Sequence, residues 1–157
     1  MVTLRPLRDA DLRAAERLVD ESIAGRWQAR LGELVDVLDR PGVVACDADR
    51  IIGIATWTTD DPAELACLAV AADHQRQGVG GALVGAVVNA VTADSIWLLT
   101  TNDNLDALRL YQRHGFRIER VVVGGVEEAR RLKPGIPATG DHGIPILDEL
   151  ILRRKLG

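Results

Sequence analysis

The chain has 157 residues, a length typical of one domain, and 47% of them are hydrophobic and 27% charged, which excludes an intrinsically disordered chain. Its formal net charge of −4 at pH 7 argues against a general nucleic-acid binder, so we expect no nucleic-acid partner. No apolar run reaches the roughly 20 residues of a membrane span, and the charged start, MVTLRPLRDADLR, lacks the apolar core of a signal peptide. We therefore expect a cytoplasmic protein without a membrane partner.

The first half of the chain alternates between helical and strand periodicity. Its predicted elements are a strand over residues 2–5, helices over residues 9–20 and 27–38, a hairpin over residues 43–58 and a strand over residues 63–71. Asp9 or Asp11 can cap the first helix, and Pro41-Gly42 follows the second.

The second half continues the same alternation. Its predicted elements are a helix over residues 79–91, a strand over 95–99, a helix over 104–114, a strand over 116–123, a short helix over 127–132 and a strand over 147–154. Gly115 is well suited to end the helix before it, because glycine accepts a left-handed conformation. Strands interleaved with helices in this way predict an α/β fold, with one mixed sheet that carries helices on both faces.

A glycine-rich turn, QRQGVGG, occupies residues 75–81 between a predicted strand and a predicted helix. N–H groups at a helix start lack helical partners, and glycines let an anion approach them, so this turn is a candidate phosphate cradle. Two common nucleotide motifs fail here: the dinucleotide fingerprint needs Gly where Leu83 stands, and a P-loop needs Lys where Ala86 stands. The alternative is a turn that only lets the helix pack closely.

The chain has one tyrosine and one phenylalanine, and both lie in NLDALRLYQRHGF, residues 104–116. The rest of the core must be aliphatic, so a ring kept only for packing could have been leucine. A functional role for Tyr111 therefore competes with a half-buried helix residue whose hydroxyl meets water.

These two segments resemble the GNAT family of N-acetyltransferases. Gln75, Gly78 and Gly80 match its pyrophosphate-binding consensus, (Gln/Arg)-x-x-Gly-x-(Gly/Ala). A second family motif is matched by Asn104, Ala107, Tyr111, Gly115 and Phe116. The resemblance covers residues 2–123 and 147–155 in element order. It implies a single N-acetyltransferase domain over residues 1–157, with a mixed, mostly antiparallel twisted sheet and an irregular insertion at about 124–146.

The resemblance also implies a chemistry: direct transfer of an acetyl group from acetyl-CoA to a primary amine, without a metal. It implies that Tyr111 lies near the CoA sulfur and protonates the leaving thiolate, and that Phe116 anchors the following strand. It implies backbone contacts from Leu68 and Val70 to the pantetheine arm, with the Val70 amide facing the thioester oxygen. The implied cofactor-binding residues are Leu68, Val70, Gln75, Arg76, Gln77, Gly78, Val79, Gly80, Gly81, Asn104 and Tyr111.

Glu64 is the one charged residue in the strand AELACLAVA, residues 63–71. Period-2 alternation places it on the same face as Leu68 and Val70. An alkylammonium acceptor must lose a proton before it attacks a thioester. The stretch AEL resembles the Ala-Glu-Ile of histone-type family members, whose glutamate removes that proton. The resemblance thus implies Glu64 as catalytic base, with another residue or a water chain as the alternative.

Residues 124–146 form a link longer than the usual limit of about 12–15 residues for a structureless loop, which indicates a functional segment. The resemblance implies that this link and the first two helices form the acceptor site. The candidate polar contacts are Glu127, Glu128, Asp141 and His142. A structural flap or a homodimer contact is the alternative.

The remaining reactive side chains predict neither a disulfide framework nor a metal site. Cys46 and Cys67 are isolated in apolar stretches, which favours two reduced, buried thiols. We expect a small-molecule or peptide amine as the partner. A non-catalytic acyl-CoA-binding module is the alternative function, and the net negative charge disfavours a third reading, an enzyme that acetylates aminoacyl-tRNA.

Overall fold

A computed structural model describes all 157 residues of the protein. The strands are β1 (Val2–Pro6), β2 (Trp27–Arg30), β3 (Glu33–Asp36), β4 (Gly42–Asp47), β5 (Arg50–Trp57), β6 (Ala63–Val70), β7 (Ser95–Thr101), β8 (Arg117–Val122) and β9 (Glu149–Lys155). The α-helices are α1 (Leu12–Ile23), α2 (Val79–Ala90), α3 (Leu105–Arg113) and α4 (Gly125–Leu132). None of these helices combines the length and the apolar character needed to cross a bilayer.

Seven strands form one sheet in the order β1-β4-β5-β6-β7-β9-β8, and β2 and β3 form a separate two-stranded sheet. Every neighbouring pair in the large sheet is antiparallel except β6 and β7. Parallel neighbours need a crossover connection, and α2 supplies it. The expected mixed, mostly antiparallel sheet with flanking helices is confirmed.

The crossover helix α2 packs directly on the sheet because β5 has a glycine beneath it. A Cβ on Gly53 would lie 3.0 Å from Leu83 and 3.2 Å from Val79, so a larger residue would push the helix away. Both of these α2 side chains are buried in the aliphatic core. This contact holds the first two turns of α2 against β5.

Strands β6 and β7 pair over only two residue pairs, Ala63 with Ile96 and Glu64 with Trp97. Beyond those pairs the two strands diverge, and the rest of β6 has no strand partner on that side. A register shift against β5 leaves Ala66 as a one-residue bulge, which increases the local twist. The diverging strands therefore open a cleft in the middle of the sheet.

The prediction of a helix over residues 27–38 is wrong, because this segment forms the β2–β3 hairpin. Its strands pair from Trp27 with Asp36 to Arg30 with Glu33. The two turn residues, Leu31 and Gly32, both have positive φ angles, of 48° and 77°. Positive φ at both central residues is the geometry of a tight hairpin turn. Apolar spacing was compatible with a helix, but Gly32 in its middle was a signal against one.

The link over residues 124–146 is ordered by two side chains that follow β7. The Asn102 side-chain oxygen accepts hydrogen bonds from the N–H groups of Leu147 and Asp148, and its amide donates to the Pro145 carbonyl. Buried Asp103 accepts a hydrogen bond from the Asp141 N–H, at 3.1 Å. The link therefore lies against the end of the strand that borders the cleft.

Candidate active site

The cleft opened by β6 and β7 has a volume of about 950 Å³. Its walls come from the end of α1, the second half of β6, the glycine turn, α3 and one residue of the link. The lining includes eight of the predicted cofactor-binding residues apart from Tyr111: Leu68, Val70, Gln75, Arg76, Gly78, Gly80, Gly81 and Asn104. Ser22, Ile23 and Asp141 complete the wall on the side of α1 and the link.

The glycine turn presents unpaired N–H groups to this cleft. Gly78 caps α2 in the left-handed conformation, with φ of 83°, and a Cβ there would meet no neighbour within 4 Å. The Ala82 N–H donates to the Gly78 carbonyl at 3.0 Å, so the preceding N–H groups of the first turn lack helical partners. An anion can therefore reach several donors at the positive end of the helix dipole.

The glycines of this turn also serve packing. A Cβ on Gly81 would lie 2.9 Å from the His114 ring, and a Cβ on Gly80 would lie 3.3 Å from Leu110, both at the end of α3. The close approach of α2 and α3 therefore depends on these residues. The geometry of this turn is therefore compatible with both interpretations, close helix packing and anion binding.

The backbone N–H groups of Leu68 and Val70 are free on the cleft side of β6. The Ala71 N–H bonds the Ile52 carbonyl of β5, and neighbouring residues in a strand point their polar groups to opposite edges. The N–H groups of Val70 and Leu68 therefore point away from β5, toward the cleft. The Gln75 side-chain amide donates a hydrogen bond to the Val70 carbonyl, at 3.1 Å.

Tyr111 brings a phenol to the same cleft. Its ring is buried and contacts Phe116 edge to face, with centroids 5.9 Å apart at 61°. Its hydroxyl makes no hydrogen bond within the chain, and since no buried side-chain oxygen lacks a partner, the hydroxyl is accessible from the cleft that Tyr111 lines. Burial raises the pKa of Tyr111 well above its usual value, so the phenol keeps its proton at neutral pH. The group can donate a hydrogen bond or a proton into the cleft.

Glu64 is buried beside the cleft rather than in its lining. Its side chain is paired with Arg30 from the hairpin tip, and its N–H bonds the Thr58 hydroxyl at 2.9 Å. The expectation that Glu64 shares a face with Leu68 and Val70 is wrong, because the bulge at Ala66 interrupts the alternation. Burial raises the pKa of Glu64, and Arg30 opposes that effect.

Two residues at this end of the site were not identified from the sequence. Arg30 stacks over the Trp97 ring, 5.4 Å from its centroid, and it comes from the segment wrongly predicted as a helix. Glu149 is only 2% exposed at the start of β9, and burial raises its pKa. The signal for Glu149 was a carboxylate directly before the apolar residues LIL in the strand predicted over residues 147–154. A Cβ on Gly125 would overlap this carboxylate.

The predicted acceptor contacts of the link separate into two groups. Asp141 lines the cleft, whereas Glu127 and Glu128 lie on the exposed surface of α4 and form ion pairs along that helix. His142 is exposed as well. Only Asp141 of these four reaches the cleft.

The remaining predicted residues differ in their contacts, and Gln77 and Val79 do not line the cleft. Gln77 bonds the Asp73 carbonyl at 3.3 Å, and the Val79 side chain is buried in the core. Asn104 lines the cleft while its amide donates to the Thr100 hydroxyl at 3.2 Å. Cys67 is buried next to Tyr111, and burial raises the pKa of its thiol to about 12. No group of three or more His, Cys, Asp or Glu side chains is arranged to hold a metal ion.

Comparisons with known proteins agree with this architecture. The chain is 38% identical over 126 residues to the uncharacterized protein YxbD of Bacillus subtilis (strain 168), covering 77% of each chain. Its structure superimposes with a TM-score of 0.78 on a Bacillus subtilis acetyltransferase in complex with CoA, at 20% identity and full coverage of both chains. The ribosomal-protein-S18-alanine N-acetyltransferase of Escherichia coli gives a TM-score of 0.76 at 20% identity, with 100% of this chain and 95% of that chain covered.

The two solved structures share the fold of the protein, and the family follows from its sequence. Residues 7–116 match the Acetyltransferase (GNAT) family, over the part of the chain that builds β6, the glycine turn and α3. The protein therefore belongs to the GNAT acetyltransferase family.

Proposed function

We propose that the protein transfers an acetyl group from acetyl-CoA directly to a primary amine. The observation that carries this proposal is the convergence of three features on one cleft. Unpaired N–H groups of the glycine turn, the free edge of β6 and the buried phenol of Tyr111 all face it. The whole chain would act as a single N-acetyltransferase domain, with residues 124–146 as an insertion.

Two groups of backbone N–H donors in the cleft suit two parts of CoA. The first turn of α2 would hold the pyrophosphate, because its N–H groups are unpaired and Gly78 leaves open space above them. The edge of β6 at Leu68 and Val70 would pair with the pantetheine amides as an added strand does. Leu68 and Val70 also provide apolar side chains along this path.

Acetyl transfer forms a bond from the amine nitrogen to the thioester carbon and breaks the bond from that carbon to sulfur. Glu64 would take the proton that the ammonium loses, and the Tyr111 hydroxyl would give a proton to the departing thiolate. The Val70 N–H is suited to stabilise negative charge on the carbonyl oxygen. The raised pKa of Tyr111 suits a donor, since the phenol stays protonated.

The alternative is a module that binds acyl-CoA without turning it over. The position of Glu64 favours this non-catalytic function, because Glu64 is ion-paired with Arg30 and does not line the cleft. Both functions predict acetyl-CoA binding, and only the enzyme releases CoA in the presence of an amine.

A panel of polyamines, aminoglycosides, amino acids and peptides with free N-termini tests the proposal, with release of the CoA thiol as the readout. We expect release in proportion to acetylated amine for at least one class. Tight binding of acetyl-CoA without release for any class would favour the binding module. A homodimer contact through residues 124–146 is the alternative role of the link, and light scattering measures whether the protein forms a dimer.

A further inference from the structure

The tip of the β2–β3 hairpin reaches two buried carboxylates, Glu64 and Glu149. The Arg30 guanidinium pairs with Glu64, and the Leu31 N–H points at the Glu149 carboxylate, 3.4 Å away. These contacts join residues that are 34 and 118 positions apart in sequence. The hairpin does not belong to the main sheet, so this tip is its connection to the site.

Arg30 is held in a defined position. Its side chain is 15% exposed, and its guanidinium lies over the Trp97 ring. Trp97 is the cross-strand partner of Glu64, so the ring and the carboxylate are adjacent on the sheet. Stacking and ion pairing together fix the guanidinium plane, which in turn fixes one oxygen of Glu64.

The other charged groups around Glu64 are few. Arg40 also stabilises its negative charge, whereas Glu33 of β3 opposes it. Glu149 of β9 is near enough to Arg30 to be stabilised by it. Burial works in the other direction and favours the protonated carboxyl of Glu64. Arg30 is the cation in hydrogen-bond contact with the carboxylate.

We propose that Arg30 is a positioning residue, which orients the Glu64 carboxylate and keeps it ionised so that it can accept the proton of the acceptor amine. This inference rests on the proposed function in assigning the proton acceptor to Glu64. Without Arg30, a buried carboxyl next to an indole ring would protonate more readily and rotate more freely. The enzyme would then need a higher pH to work.

The hairpin has other attachments, so the role of Arg30 is separable from folding. At its base, Arg26 forms an ion pair with Asp36 at 2.7 Å. Lys133 of the link donates to the carbonyls of Ala24 and Trp27, at 2.8 and 2.9 Å. Arg26→Met is therefore a matched control, which removes a hairpin guanidinium of similar burial but leaves Glu64 untouched.

The direct test is an NMR titration of the Glu64 side-chain carboxyl carbon, assigned with Glu64→Gln. An opposite charge in contact commonly shifts a carboxyl pKa by about 1–3 units. We expect the Glu64 pKa to rise by about one unit or more in Arg30→Met, to change less in Arg30→Lys and to stay constant in Arg26→Met. An unchanged Glu64 pKa in a folded Arg30→Met protein would overturn the inference. This measurement needs no substrate, so it is independent of the proposed function.

The second readout is the dependence of kcat/KM on pH with the best amine of the panel. We expect the acidic limb of the kcat/KM profile to move to higher pH in Arg30→Met, by the same amount as the Glu64 pKa. In the Glu64→Gln background, we expect Arg30→Met to cause no further loss of kcat/KM. A shifted Glu64 pKa with an unmoved acidic limb would overturn the positioning role. If the parent acetylates no amine, the proposed function fails, while the titration still decides whether Arg30 keeps Glu64 ionised.

Discussion

Replacement of Tyr111 by phenylalanine separates the chemical role of this ring from its role in packing. The hydroxyl makes no hydrogen bond within the chain, so the substitution breaks none. The ring keeps its edge-to-face contact with Phe116. No buried side-chain oxygen lacks a partner, so this unbonded hydroxyl is accessible from the cleft, and its removal leaves no unsatisfied group in the core. We therefore expect the free energy of unfolding and the melting temperature to stay close to those of the parent.

Turnover should behave differently from stability in Tyr111→Phe. Loss of a general acid typically slows a reaction by about 10²–10⁴-fold. That factor equals about 3–5 kcal/mol of transition-state stabilisation, at 1.36 kcal/mol per tenfold. CoA thiol release measures kcat, and calorimetry should give an unchanged affinity for acetyl-CoA. Full turnover in the variant would refute the reasoning, because another group would then protonate the thiolate.

Two further predictions concern His74, before the glycine turn, and the acidic residues of the link. Both ring nitrogens of His74 lie near carboxylates, Asp47 at 3.0 Å and Asp73 at 2.9 Å, and these partners raise its pKa. The contribution of His74 to stability is therefore complete below the unfolded histidine pKa of about 6.5 and is lost as pH rises through the pKa of His74 in the folded protein. We expect the parent to melt at a higher temperature than His74→Gln at pH 5.5, and this difference to shrink at higher pH. Asp141→Ala should raise KM for a cationic amine by about twofold to fivefold, the effect of an ion pair worth up to about 1 kcal/mol, whereas Glu128→Ala should not. A larger effect from Glu128 than from Asp141 would place the acceptor elsewhere.

The glycine turn and the Tyr111 helix could be predicted because their signals are local. Gln75, Gly78 and Gly80 have fixed spacing at a strand-to-helix junction, and Tyr111 follows Asn104 by two helical turns. The structure brings both segments to one cleft. Their roles toward CoA stay predictions until binding is measured.

The hairpin and its contacts could not be predicted in the same way. Apolar residues in the segment fit helical spacing, and a left-handed Leu31 is an uncommon conformation for a leucine. The pairing of Arg30 with Glu64 depends on where the hairpin docks, which no local pattern encodes. The bulge at Ala66 likewise depends on the partner strand, and it moved Glu64 off the expected face.

The central claim is that the glycine turn binds the phosphates of CoA, and one calorimetric titration tests it most directly. Gly80→Asp would place a carboxylate among the unpaired N–H groups of the first α2 turn. Gly85→Asp is the matched control, because it makes the same change further along α2, where a Cβ meets no neighbour within 4 Å. We expect the parent and Gly85→Asp to bind acetyl-CoA, and a Gly80→Asp protein with a cooperative melting transition to show no binding heat. Equal affinity in the folded Gly80→Asp protein and the parent would contradict the claim.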